Sequence, residues 1–116
     1  METYNEENSI GLLMKHPNGG GLVSETATVD ESVYVANSAI VYSGIIKRKT
    51  NIESDVRIYG KVEISGITSI KWGTFINGND ESGFKIENCL VHGNFHGQGN
   101  FKNQVLICKD YNVTSL

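Results

Sequence analysis

Basic residues are in the minority in this chain of 116 residues: 10 Lys and Arg stand against 13 Asp and Glu, for a net charge of -3. A dedicated nucleic-acid binder is usually basic, so no nucleic-acid partner is expected. No apolar run is long enough to cross a bilayer, which argues against a membrane partner. Cysteine occurs only twice, at Cys89 and Cys108, without zinc or redox spacing. The default is a reduced protein, in which a disulfide between them would be an exception. The start, Met1 to Asn8, is acidic and polar and has no signal-peptide character. A cytoplasmic, single-domain protein is the expectation. Proline occurs once. Glycine is not scarce, at 13 residues, yet has no collagen period, which points to many tight turns.

The strongest signal present is a period of six. Isoleucine recurs at Ile40, Ile46, Ile52, Ile58, Ile64, Ile70 and Ile76. A helix returns its apolar face after about 3.6 residues, so this spacing is not helical. One bulky apolar residue per six, held this long, is the pattern of a coiled solenoid of short parallel strands.

Three frames cover the chain. The first runs Val23, Val29, Val35, Val41, with companions four residues on at Ala27, Val33, Ala39 and Ile45. Side chains alternate along a strand, so each pair faces the same way, here inward. The second frame runs from Ile46 to Ile76, with companions Thr50, Val56, Val62, Thr68 and Thr74. Ile40 then falls outside. Asn77 to Gly83 is a cluster of turn formers and is expected to interrupt the coil. A third, less regular frame is Cys89, Phe95, Phe101, Ile107 and Val113, with Val105 as companion. About fifteen units make roughly five coils of three units each. The apolar patch Ile10, Leu12, Leu13 and Met14 does not repeat and reads as a cap for the open end of the core. The expected division is a cap and HPNGGG turn over 1–22 and the repeat over 23–116.

Val29-Asp30-Glu31-Ser32-Val33-Tyr34, Val35-Ala36-Asn37-Ser38-Ala39-Ile40 and Ile52-Glu53-Ser54-Asp55-Val56-Arg57 resemble the hexapeptide repeat of left-handed parallel β-helix proteins. The resemblance is clear from Val23 to Ile76. It implies an all-β, left-handed, triangular coil, often a homotrimer, and makes acyltransferases and γ-class carbonic anhydrases relatives by fold. HPNGGGLV with its alternating Ala and Val units is also similar to small β-helix proteins of bacteria and their phages. Tyr59-Gly60-Lys61-Val62-Glu63-Ile64-Ser65-Gly66 resembles the right-handed β-helix of bactofilins, which are cytoskeletal proteins; the strict sixfold ladder favours the left-handed reading. Fold does not carry function with it.

His92 and His96, four apart, are the candidate catalytic residues, and with His16 the candidate metal ligands. Zinc catalysis needs three protein ligands and an open position, and His16 sits far away in the HPNGGG turn. An acyltransferase would need His92 as its general base, but the coenzyme A-binding extensions of that family are not evident. Gly19-Gly20-Gly21 invites a phosphate, yet no helix follows to complete such a cradle. Lys47-Arg48-Lys49 reads as a solvated corner.

The outward aromatics carry more. With three units per coil, Tyr42 and Tyr59 share one outward column, while Ile40, Arg57 and Phe75 share another; Trp72 sits at a corner near Phe75. Aligned columns of this kind suggest a contact surface. The reading is a non-enzymatic assembly or binding protein. It holds a small molecule or protein partner at clefts between subunits and uses no cofactor. The alternatives are a trimeric enzyme with interface histidines and a bactofilin-like filament subunit.

Overall fold

The computed structural model describes residues 12–79 and 81–113, so Ile10 of the expected cap lies outside the described residues. Within them the chain is all β, a parallel solenoid of about five turns with three faces. It begins with β1 (Leu13–Lys15), which pairs antiparallel with β2 (Leu22–Ser24) at the edge of the first coil. The first face stacks β2, β5 (Ile40–Val41), β8 (Arg57–Tyr59) and β11 (Phe75–Gly78). The second stacks β3 (Ala27–Val29), β6 (Gly44–Ile46), β9 (Val62–Ser65), β12 (Phe84–Glu87) and β14 (Gly99–Lys102). The third stacks β4 (Tyr34–Val35), β7 (Thr50–Ile52) and β10 (Thr68–Ile70). Two longer strands, β13 (Leu90–Gly97) and β15 (Val105–Asn112), run through a corner and serve the third face and then the first.

The sixfold ladder is the interior. Ile46, Ile52, Ile58, Ile64, Ile70 and Ile76 are all at most 1% exposed. Each stacks in register on its counterpart in the next coil, as Val41, Ile58 and Ile76 do on the first face. Burial of such a side chain is worth about 2 kcal/mol. Strand companions Val33, Ala39, Val56 and Val62 are buried with them.

The threonines of the second frame are buried as well, and they differ in what they find there. Thr68 Oγ1 donates to the Ser65 carbonyl at 2.8 Å and accepts from the Cys89 N–H at 3.1 Å. Thr74 Oγ1 accepts from the Gly93 N–H at 3.2 Å. Thr50 Oγ1 is buried without a partner among the described residues. An unsatisfied buried hydroxyl is a net cost, while an engaged one is not. Thr50→Val is therefore expected to raise the free energy of unfolding by about 1 kcal/mol, and Thr68→Val to lower it by about 1–2 kcal/mol. Urea denaturation of the two variants checks this.

Three expected inward positions face out. Ile45 is 44% exposed, Val105 66% and Ile107 76%. Ile45 sits one residue before buried Ile46 in the same strand, where alternation turns it outward. The third frame is displaced because the coil length changes: Ile64 pairs with Ile86, and Ile86 with Phe101. The chain between β11 and β12 lengthens one coil and the next is shorter. The interior here is instead Phe84, Ile86, Val91 and Phe95, closed by half-buried Phe101, Leu106, Cys108 and Tyr111. Cys89 is buried as expected, Val113 is half-buried, and both cysteines are free thiols.

Gly93 allows β13 to turn its corner. Its φ is +136°, and a Cβ there would overlap the Cys108 carbonyl of the next coil.

Candidate functional site

Outward residues of the first face form a stripe parallel to the coil axis. The parallel register places Tyr42 over Tyr59, with ring centroids 4.3 Å apart and planes 7° from parallel. The stripe continues diagonally, Tyr59 to Phe75 at 5.4 Å and Phe75 to His96 at 5.2 Å. Ile40, Arg57 and Phe75 occupy the neighbouring column, as their strand register requires. Arg57 is held by its guanidinium, which donates to the Ser38 carbonyl at 2.8 Å. All of these side chains are half-buried, largely by one another. Stacking of this kind stabilises the coil modestly and leaves ring edges facing out.

Trp72 projects from the corner between the third and first faces, 61% exposed, with His92 against it at 5.0 Å. Around that corner the third face carries Leu90 opposite Val105 and His92 opposite Ile107. Stripe, corner and third face together make one continuous band that is aromatic at one side and aliphatic at the other. The aliphatic half escaped the sequence reading, because Val105 and Ile107 fitted the interior frame.

The histidines separate. His16 is buried in the turn over the first coil, where its Nε2 donates to the Val33 carbonyl at 2.8 Å. His92 and His96 lie on either side of the Gly93 corner in β13, each packed on an aromatic ring. Among the described residues no group of three His, Cys, Asp or Glu is placed to hold a metal ion. The glycines of HPNGGG serve the fold: Gly21 N–H donates to the Val35 carbonyl at 2.9 Å, and the Val35 N–H donates to the Asn18 carbonyl at 3.0 Å. In the basic run, Lys47 faces Glu63 at 3.4 Å, and the Arg48 N–H donates to Asp30 Oδ2 at 2.9 Å. Both ion-paired side chains are largely exposed, so the pair contributes little.

A groove of about 1020 Å³ runs along the outer side of the second face. Its side wall is the outward column Thr28, Ile45, Glu63, Lys85, Asn100, one residue from each coil. Its lining includes Gly44, Gly60 and Gly99, where a Cβ would meet the Val62 carbonyl, the Gly78 carbonyl and the Phe101 ring, so the missing side chains let neighbouring segments pack closely. Glu81, Ser82 and Gly83 bound it. There Asn79 Oδ1 accepts from the N–H groups of Glu81, Ser82 and Gly83 at 3.1, 3.1 and 3.2 Å, and Lys61 Nζ donates to the Glu81 carbonyl at 2.9 Å. The charged lining is Lys61 and Lys85 with Glu63 and Glu81, so the signs balance. The sequence gives this groove no motif, because its residues are ordinary polar side chains about a coil apart along the chain. No helix among the described residues is long and apolar enough to cross a membrane. No protein-family model, curated protein or solved structure matches the chain.

Proposed function

We propose that the chain is a non-catalytic binding protein that works as a homo-oligomer and holds an extended, neutral, hydroxyl-rich chain, such as an oligosaccharide, along the second face. The observation that carries this reading is the groove of about 1020 Å³, to which every coil contributes. Its volume is in the range of ligand sites. Thr28 and Asn100 at its ends, with Thr26 and Gln98 beside them, supply hydroxyls and amides, and balanced charge favours a ligand without net charge. Five coils spaced by about 4.8 Å span roughly 20 Å, enough for several sugar units. His92 and His96 pack on aromatic rings rather than on a carboxylate, which supports binding over catalysis.

The band around the Trp72 corner is the proposed contact between subunits, with Tyr42, Tyr59, Phe75 and Arg57 at its aromatic side. A trimer is the form implied by the hexapeptide resemblance, as is the left-handed sense of the coil, which a crystal structure tests directly.

Screening against neutral glycans, followed by calorimetry, tests the ligand. Thr28→Trp and Asn100→Trp place bulk at exposed positions in the groove. Each is expected to weaken binding at least about tenfold with an unchanged melting temperature. The reading fails if no neutral glycan binds, or if binding ignores both substitutions and is lost on His92→Ala.

A further inference from the structure

The two ends of the coil stack are finished differently. At the first coil, β1 lies along the free edge of β2. The His16–Gly21 turn lies against β4 and engages the backbone of Val33 and Val35. Two of the three faces are thus closed at that end. At the other end β15 pairs only with β13 and β14 only with β12, so among the described residues their outer edges have no partner. Between those edges lies the end of the core, with Phe101, Leu106, Cys108 and Tyr111 half-buried where the coils before them are fully covered. An unpaired strand edge of eight residues beside open apolar core is a template for another strand.

A head-to-tail stack would need the first coil to accept this end, and β1 and the His16–Gly21 turn stand in the way. The open end can meet another open end, related by a two-fold axis. For a three-faced coil such an axis passes through one corner, exchanges the two faces beside it and maps the third onto itself. Placed at the corner between the third and first faces, it sets β15 antiparallel to β15 of the other copy, and β14 antiparallel to its own copy.

The charges of β15 fit that arrangement. Cys108 faces inward on the third face and Tyr111 inward on the first, and the register shifts between them. Setting inward residues opposite inward residues puts Cys108 across from Tyr111 of the other copy. Lys109 then stands across from Asp110, and symmetry makes the same pair twice. Consecutive residues of opposite sign at the corner make the edge complementary to itself.

We propose that the end formed by β14 and β15 binds a second copy of this chain tail to tail, in a closed two-fold dimer centred on Lys109 and Asp110. This surface is the free edge of β15 with β14, whereas the band takes only the outward side chains Val105 and Ile107 of β15, so changes at Lys109 and Asp110 test the one and changes at Trp72 the other. Native mass spectrometry and sedimentation of the full chain are expected to show even-numbered assemblies: a dimer, or a hexamer if the band also forms trimers. Lys109→Asp turns both attractions into repulsions and is expected to raise the tail-to-tail dissociation constant about tenfold or more, and Asp110→Lys to do the same. The double variant Lys109→Asp, Asp110→Lys restores opposite signs and should recover the wild-type constant. Both side chains are exposed, so melting of the isolated subunit should not change. A monomer, a trimer indifferent to these changes, or a double variant no better than the single ones overturns the proposal. A trimer would at the same time support the band as the subunit contact.

Discussion

Ile46→Asp is expected to leave no folded protein, whereas Ile45→Asp should keep the native coil. The two residues are neighbours in β6 and chemically identical, yet Ile46 is 1% exposed and Ile45 44%. Ile46 lies in register between Val29 and Ile64, within the continuous interior. An unpaired carboxylate there has no donor and no water, and several kcal/mol of desolvation is comparable with the whole stability of a small domain, about 5–15 kcal/mol. At Ile45 the carboxylate stays in solvent. Circular dichroism melts decide the matter: a cooperative transition for Ile46→Asp, or its loss in Ile45→Asp, would contradict the assigned alternation. Ile58→Asp should behave as Ile46→Asp does, being fully buried between Val41 and Ile76.

Gly93→Ala is expected to detach the last coil. A left-handed backbone angle with a side chain costs about 1–3 kcal/mol by itself. Here the added carbon also meets the Cys108 carbonyl, backbone that cannot move without shifting β15 away from β13. Gly73 is the control. Its φ is +73°, but a Cβ there has open space, so Gly73→Ala should show the backbone strain alone. Hydrogen exchange would show Gly93→Ala exposing the amides of β15 while those of β7 and β8 stay protected. Equal effects of the two substitutions would refute the close approach as the cause.

Why the fold was legible from Val23 to Ile76 and blurred afterwards has a physical answer. Where the coils are regular, the ladder places one residue in each unit in the interior, and Ile52, Ile58, Ile64, Ile70 and Ile76 are fully buried. After Asn79 the longer coil, the shorter one that follows and the extra residue in β15 where it pairs with β13 change the phase. A residue count then mistakes Val105 and Ile107 for interior. The outward columns were equally legible, because Tyr42 over Tyr59 and Arg57 beside Phe75 follow from the same arithmetic. The groove was not. Thr28, Glu63 and Asn100 acquire a common role only through stacking, and nothing in their local sequence distinguishes them from other polar surface residues.

The near-constant spacing of partners along the chain has a kinetic meaning. Val23 pairs with Val41, Val41 with Ile58, and Ile58 with Ile76, each 17 or 18 residues on. The entropy of closing each of these coils is therefore nearly the same. Folding can begin in the middle coils, where the isoleucines stack without interruption, and spread outward as a front rather than wait for distant segments to meet. The coil that joins β9 to β12 requires the longest closure among the described strands, Ile64 with Ile86. The added closure cost is only about 0.2 kcal/mol, so the front should pass this coil with little delay.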